Sequence, residues 1–531
     1  MADLIHTKIK NIIARFDSKF SEIIFLLFIS CLVITGSIWQ GAYNNDPLHW
    51  GLMLSNAKDL YEGQLPYKDI FIQYGILTTL VHSFAYFIGG KTLNTIIIIT
   101  AIFYAIGISL LYKLTLSIAK EKFIAVFVVI ISFLIHPIAI YPWPNYIAFP
   151  LLILGLLLLS NSYQKPRYLF YSGFSFGLAI LARENLALPI ILTLFLCFLL
   201  ELKESKIFIF EKLKEKLNIF LGILFPIIIF LIYLFSNELF FYWTKLAIDV
   251  PNIYLSETFD FTGVNKFLGE MLSSMLKLDF RWTFFFLLFA FNTYIIFRKI
   301  FYDDKFFNNP AINFILISSL VFISLTLHIP EIWRLSTGSI IGIISLFIFL
   351  NTHKQLSIIF LLFAILLSFT FFANSNNYFY PTKLIRDRST SVNDFIPIFK
   401  GQRWPLKNIK YYHQIQSDLN QIKQKKCGIK YHYNAHHYDA FLQVLSPFKQ
   451  YQIAPMRQIS DIDELRPDLN FTKKIHNGND IIIFKPIINT QINKYKVPSG
   501  FTIYSSYEIP DAFFIEPNYF LFITVPNKCI D

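Results

Sequence analysis

Long apolar runs alternate with short polar connections over most of the chain. Runs at 23–39, 93–112, 123–140, 146–160, 168–183, 185–201, 217–236, 281–299, 311–328, 332–350 and 356–373 are predicted to cross a bilayer, which takes about 20 apolar residues per helix. Ile76–Gly89 is apolar but short for a crossing, and is predicted to be a half-inserted or interfacial helix. Leu48–Tyr61 sets Leu48, Leu52, Met53, Ala57 and Leu60 on one helical face, with Asn56, Lys58 and Asp59 elsewhere. That pattern predicts an amphipathic helix at the membrane surface. Gly63, Pro66 and Gly75 interrupt the pattern around it. Beyond residue 373 the character changes. Apolar runs shrink to strand length at Gly428–Tyr433, Asp480–Phe484 and Phe520–Val525, with helical stretches at about 407–425 and 438–448. The chain therefore divides into a helical membrane part, 1–373, and a small α/β domain, 374–531.

Composition agrees. Of 531 residues, 55% are apolar and 15% charged, where a soluble chain carries about 25% charged residues. An ordinary soluble enzyme, a disordered chain and a nucleic-acid module are excluded. The net charge is +12, and the Lys and Arg of the membrane part sit mostly in short loops, where they set orientation. The N-terminal Lys8, Lys10, Arg15 and Lys19 point to a cytoplasmic N-terminus. About eleven spans then place Lys113, Lys120 and Lys122, the Lys165–Arg167 loop, the Lys203–Lys216 loop, Arg298, Lys299 and Lys305, and Lys354 all inside. Two further crossings near Ile76–Gly89 would raise the count to about thirteen without changing parity. Either count puts 374–531 outside the cytoplasmic membrane. That domain holds 20 basic and 13 acidic residues, which reads as a solvated basic surface or as the mark of a polyanionic or lipid-phosphate neighbour. Four cysteines are too few for a disulfide scaffold. Cys31 and Cys197 lie in apolar runs; Cys427 and Cys529 could pair if the domain is extracytoplasmic.

Residues able to carry chemistry collect in the outside loops. GAYNNDPLHWG puts Asp46 and His49 just after the first span, and PYKDIFIQYG puts Asp69 in the same loop. Pro47 and the helix that follows tie Asp46 to a rigid element, which suits a positioned general base. His49 reads equally as a base, a ligand or an interfacial side chain. One His and two Asp at irregular spacing give only a weak metal signal; no cofactor is expected, and a divalent metal stays open but unsupported. LARENLAL places Arg183 and Glu184 in a tight turn between two apolar runs, and HIPEIWRLSTG places Glu331 and Arg334 at another outside hairpin. Charges so close to hydrocarbon are costly and mark function, here anion binding, or an ion pair between the helices. Arginine's planar fork suits phosphate oxygens. In YPWPNY, Asn145 could hold a sugar hydroxyl, while an aromatic belt accounts for Trp143 and Tyr146.

The first span, the Asp at its outer end, the helix after it and the Tyr-x-Asp-x-Phe-x-x-x-Gly stretch together resemble the GT-C glycosyltransferases, which include protein O-mannosyltransferases and lipid A aminoarabinose transferases. The stretches that carry the resemblance are Asp46-Pro47-Leu48-His49-Trp50-Gly51, Gln73-Tyr74-Gly75 and GFSFGLAILARE. It implies a GT-C-like α-helical bundle and a polyprenyl-phosphate sugar as donor. It also implies an extracytoplasmic lipid, glycan or protein as acceptor, with Asp46 as the catalytic carboxylate and Arg183 and Arg334 on the lipid phosphate. Tyr74, Asn145, Glu184 and Glu331 fall to substrate binding, and Asp69 and His49 join the catalytic group. Attack from the face opposite the leaving phosphate predicts inversion. An O-antigen polymerase or ligase is the rival within enzymes. A lipid or polysaccharide transporter is the rival outside them, and predicts ionisable residues in mid-span, of which the spans here have few.

Overall fold

The structure, a computed structural model, describes residues 18–43, 46–72, 74–135, 142–162, 165–204, 209–249, 280–302, 310–322, 340–352, 390–392, 395–435, 439–450, 480–494, 496–510 and 519–530, with short helical pieces between 265 and 276 and between 359 and 367. The membrane part is helical: α1 (Lys19–Tyr43), α2 (His49–Tyr61), α3 (Ile76–Ile88), α4 (Leu93–Ala119), α5 (Lys122–Ile135), α6 (Pro144–Asn161), α7 (Tyr168–Ala182), α8 (Ala187–Glu204), α9 (Ile209–Ser236), α10 (Phe280–Tyr302), α11 (Pro310–Val321) and α12 (Ile343–Thr352). Among the described residues, six helices are long and apolar enough to cross a membrane, and five more are apolar but shorter. The expected spans up to 332–350 each have a helix. The last, 356–373, lies mostly outside the described residues. The chain is a multi-pass membrane protein. Large apolar side chains face outward on α1 (Phe20, Ile23, Leu27, Phe28), on α3 (Leu80, Phe84, Phe87, Ile88) and on α9 (Phe225, Ile229, Ile232), as lipid-facing stripes do.

Small residues set the closest helix crossings. The sequence Gly173-Phe-Ser-Phe-Gly177 on α7 faces Gly222 on α9. A β-carbon at Gly173 would lie 1.9 Å from Ile219 O, at Gly177 2.5 Å from Ile223 O, and at Gly222 2.1 Å from Phe170 O. Backbones this close gain dispersion contacts that bulkier residues would prevent, which is what drives helix association where lipid is as apolar as leucine. This packing holds the C-terminal end of α7, where Arg183 follows. Antiparallel to α4, α1 joins it through Ser30 and Ser109 (3.1 Å) and the Lys113–Glu22 ion pair.

After residue 390 the fold is mixed. A short hairpin of β1 (Thr390–Ser391) and β2 (Arg403–Trp404) leads into α13 (Leu406–Gln424), and a five-stranded sheet follows. Its strands are β3 (Tyr431–Asn434), β4 (Lys449–Gln450), β5 (Ile481–Ile488), β6 (Phe501–Glu508) and β7 (Tyr519–Pro526), in spatial order β4-β3-β5-β7-β6. The β4-β3-β5 half is parallel, with Tyr431 opposite Ile481, and β7 pairs antiparallel with both β5 and β6. A helical turn, α14 (Phe441–Leu445), lies between β3 and β4. The three expected strands are β3, β5 and β7. The edge strand β6 has no apolar run, because it pairs on one side only and half of its residues are exposed. Cys427, after α13, and Cys529, after β7, are joined in a disulfide.

This C-terminal part docks on the segment between α1 and α4. Ala440 N–H donates to Pro47 O (3.0 Å), and Lys58 Nζ donates to Val444 O and Ser446 O (3.2 Å each). The Arg403 guanidinium lies over the Tyr43 ring (5.6 Å). The surface-helix reading of 48–61 is corrected here. Trp50 through Ala57 and Asp59 are buried all round α2, because α14 covers one side and the bundle the other. The polar face is satisfied internally: Asn56 donates to Phe71 O (2.8 Å), and Asp59 accepts from Ser55 Oγ and Gln64 Nε2.

Candidate active site

The site begins where α1 ends. Asp46 precedes the first turn of α2, and its Oδ1 accepts the backbone N–H of His49 (2.9 Å), satisfying an open donor at the helix start. Its Oδ2 accepts a second bond from His49 Nδ1 (2.7 Å). The carboxylate is nearly buried, while the imidazole keeps about a quarter of its surface, 23%, exposed. With Nδ1–H held by the carboxylate, Nε2 becomes the basic nitrogen, the arrangement by which an Asp fixes a histidine tautomer.

Trp143 joins this pair to the rest of the loop. Its ring meets His49 edge-on at 4.7 Å and Tyr74 at 4.5 Å. Trp143 and Tyr146 are both 2% exposed, so the aromatic-belt reading of these two is corrected: they pack inside, Tyr146 against Tyr104. Asn145, also buried, lies in the first turn of α6, two residues from Trp143.

Next to Tyr74, Gly75 packs on the end of α7. A β-carbon there would lie 2.0 Å from Leu181 O, and Thr78 Oγ1 donates to Ala182 O (2.8 Å). Arg183 follows at once. It is 2% exposed, and its Nε donates to Asn185 Oδ1 (2.7 Å). Glu184 turns the other way and accepts from Tyr67 Oη and Trp243 Nε1, both at 3.3 Å. Asp69 does not join the Asp46 pair. Its Oδ2 accepts Leu65 N–H (2.9 Å) and its own N–H donates to Leu65 O (2.9 Å), closing the turn in which Tyr67 takes a left-handed φ of 65°. That conformation strains an aromatic residue and persists because the turn is held on both sides. Burial and the nearby Glu184 push the Tyr67 hydroxyl well above its ordinary pKa, so it stays a proton donor. Burial, partly offset by Lys58, pushes Asp59 up to about 7.

The first loop thus brings Asp46, His49, Tyr74, Arg183 and Glu184 to one end of the bundle through a chain of direct contacts, with Asn145 beside it. Arg334 and Glu331 lie outside the described residues. The sequence reading passed over Trp143 as a link, Asn185, Tyr67 and Trp243. Asn185 and Tyr67 stand inside the quoted motifs, and their side-chain chemistry was the available signal; Trp243 had none. Arg281, buried at the start of α10, was also passed over. Among the described residues, no group of three or more His, Cys, Asp or Glu could hold a metal ion.

No family model and no curated protein matches the sequence. The fold does have solved counterparts. ArnT from Cupriavidus metallidurans, crystallised with undecaprenyl phosphate, superposes with a TM-score of 0.54 over 95% of this chain and 98% of its own, at 10% identity. ArnT is a GT-C glycosyltransferase, and this chain shares its fold. A second GT-C structure, the oligosaccharyltransferase of Archaeoglobus fulgidus tethered to an acceptor peptide, gives a TM-score of 0.43 at 12% identity, over 88% of this chain and 69% of its own. The near-complete coverage by ArnT includes the sheet that docks on the first loop, so the GT-C likeness extends through both parts of the chain.

Proposed function

We propose that this protein is a membrane glycosyltransferase that moves a sugar from a polyprenyl-phosphate carrier to an extracytoplasmic acceptor, with inversion. The observation that carries the reading is the Asp46–His49 pair, held at the mouth of a GT-C fold and linked through Trp143, Tyr74 and Gly75 to a buried Arg183. ArnT's bound undecaprenyl phosphate supports the donor class.

The acceptor hydroxyl loses its proton as its oxygen attacks the anomeric carbon. The pair takes that proton at His49 Nε2, and Asp46 stabilises the imidazolium that results. The carbon–oxygen bond to the lipid phosphate breaks on the opposite face. Arg183, its guanidinium fixed by Asn185, meets the charge growing on that phosphate, where low dielectric makes it count most. Glu184, Tyr67 and Asp69 form a second chain that keeps the Arg183 turn in place, and Asn145 and Tyr74 border the sugar. A second reading has Asp46 take the proton directly with His49 as its holder; the resemblance in the sequence favours it.

Transfer of a labelled sugar from synthetic polyprenyl-phosphate sugars by purified protein tests the proposal. Absence of transfer across donors and envelope acceptors, or equal transfer by wild type and Asp46→Asn, overturns it. Orientation is tested separately. After reduction, a membrane-impermeant thiol reagent on spheroplasts should label Cys427 or Cys529, and labelling only after lysis reverses the topology.

A further inference from the structure

The basic excess of 374–531 has a focus. At the C-terminal turn of α13 lies an open cavity of about 200 Å³, walled by Ile422, Cys427, Phe448 and four lysines: Lys423, Lys426, Lys430 and Lys449. No carboxylate lines it. The lysines come from three segments: the end of α13, the lead into β3 and the start of β4. None of the four side chains makes a hydrogen bond or ion pair with any described residue, whereas Lys425 between them is tied down, its Nζ on Cys529 O (2.9 Å) and Ile530 O (3.2 Å). A fifth lysine borders the rim: Lys528 Nζ lies 3.3 Å from where a β-carbon on Gly428 would be.

The walls are built to stay. Lys426 has a left-handed φ of 53° and Gly428 one of 82°, and the Cys427–Cys529 disulfide pins the residue between them to the chain's last turn. The opposite wall is fixed from below. Ser446, one residue before the cavity-lining Pro447, is held by Lys58 of α2, and Phe448 O meets His432 Nδ1 at 2.9 Å.

We propose that this cavity binds a phosphate-bearing anion of more than one negative charge, with Lys423, Lys426, Lys430 and Lys449 as its contacts. Four like charges around one open volume repel each other, and without an internal counter-charge they raise a local positive potential that an anion relieves. A single carboxylate would leave most of that charge unbalanced. A diphosphate, or a phosphate headgroup, would not. Compact ammonium groups on flexible stems suit phosphate oxygens approached from several sides. The site is independent of Asp46 and of the transfer reaction.

The test uses the full chain in a non-ionic detergent, titrated at low salt with inorganic pyrophosphate and, separately, with short-chain phosphatidic acid in mixed micelles. The variant Lys423→Gln/Lys426→Gln/Lys430→Gln/Lys449→Gln should bind at least about tenfold more weakly, and the weakening should shrink as salt screens the site. A control removing the same charge elsewhere in the domain, at Lys400, Lys410, Lys485 and Lys496, should change affinity by about twofold or less. Binding of pyrophosphate supports a soluble anion; binding of phosphatidic acid alone supports a headgroup. If neither probe binds wild type, or if both fourfold variants lose affinity equally, the site is overturned. Should the pocket variant lose its unfolding transition, the four single Gln variants decide instead: each should weaken binding by about two- to fivefold, and no change in any of them overturns the proposal.

Discussion

Gly75 rests on the backbone of Leu181, so closely that a β-carbon would stand 2.0 Å from the carbonyl oxygen. The contact fastens the loop between α1 and α3 to the turn that carries Arg183, two residues further on. Gly75→Ala should therefore push the two halves of the site apart without removing any functional group. A misplacement of about 1 Å costs up to about 10²-fold in rate, so sugar transfer should fall by about that factor while the protein still purifies as a folded species. Gly36, on α1, has nothing within 4 Å of its added β-carbon, and Gly36→Ala should leave transfer unchanged. Full activity in a folded Gly75→Ala protein would show that the two halves need not be in register.

The Asp46–His49 bond separates two accounts of the proton. Where His49 Nε2 is the base, Asp46→Asn loses the tautomer and His49→Gln loses the base, so each should cut kcat by about 10²–10⁴-fold. Where Asp46 is the base, His49→Gln should cost about tenfold or less. The loss belongs in kcat, because the proton moves only in the transition state. Helix capping is not confounding, since Asn caps about as well as Asp. Single-turnover rates of the two variants, with donor binding measured alongside, distinguish the cases; unchanged kcat in both removes the pair from the chemistry.

Much of this architecture is legible in the sequence because apolar runs of span length have few other uses, and because Asp46, His49, Arg183 and Glu184 are polar or charged groups placed beside hydrocarbon. The helix pattern of 48–61 is equally clear, but its surroundings are not. Periodicity marks which side chains share a face. It does not show that α14, some 380 residues on, packs over Gly51 and Lys58, so the helix reads as a surface element when it is in fact sandwiched. Trp143 fails for the same reason: a Trp at the end of a span is usually at the lipid interface, and its burial between His49 and Tyr74 depends on a loop folding back from elsewhere. Strand β6 escapes because half of an edge strand faces water, and a sequence such as Phe501–Glu508 shows too few apolar residues to announce itself.

Arg183 is held through Nε by Asn185, which leaves the planar fork in a fixed orientation. Lysine at this position keeps the charge but has no Nε to bond and no second nitrogen to share. Arg183→Lys should weaken donor use, and Arg183→Ala should weaken it further, by an amount corresponding to about 1.5–3 kcal/mol for a bond to a charged group. Asn185→Ala should reproduce part of the lysine effect. Steady-state kinetics against donor concentration measure all three. Equal kcat/KM in wild type and Arg183→Ala, with the alanine form folded, would take the residue out of the site.

Asp439 gives the docked domain a pH dependence of known sign. It is buried beside the Pro47 contact, accepting from Tyr412 Oη and Phe441 N–H at 3.1 Å each, yet burial outweighs these bonds and pushes its carboxyl from 3.8 up to about 7. Between those two values the folded protein keeps a proton that the unfolded chain has released. Its contribution to stability is therefore largest in acid, is lost as pH rises from about 4 to 7 at up to about 1.4 kcal/mol per pH unit, and is level above that. His432 opposes it: burial pushes that imidazole down to about 3, so unfolding takes up a proton below 6.5 and stability falls as the solution is acidified. Wild type alone thus shows a blunted profile. The comparison that isolates Asp439 is Asp439→Asn, which keeps the shape and the Phe441 bond and removes the titration. Its stability relative to wild type should climb from pH 4 to pH 7 and then stay constant, read by unfolding of the full chain in detergent at each pH. Parallel curves for the two proteins across that window would mean that Asp439 ionises as it does in water, and that its place beside Pro47 is open to solvent.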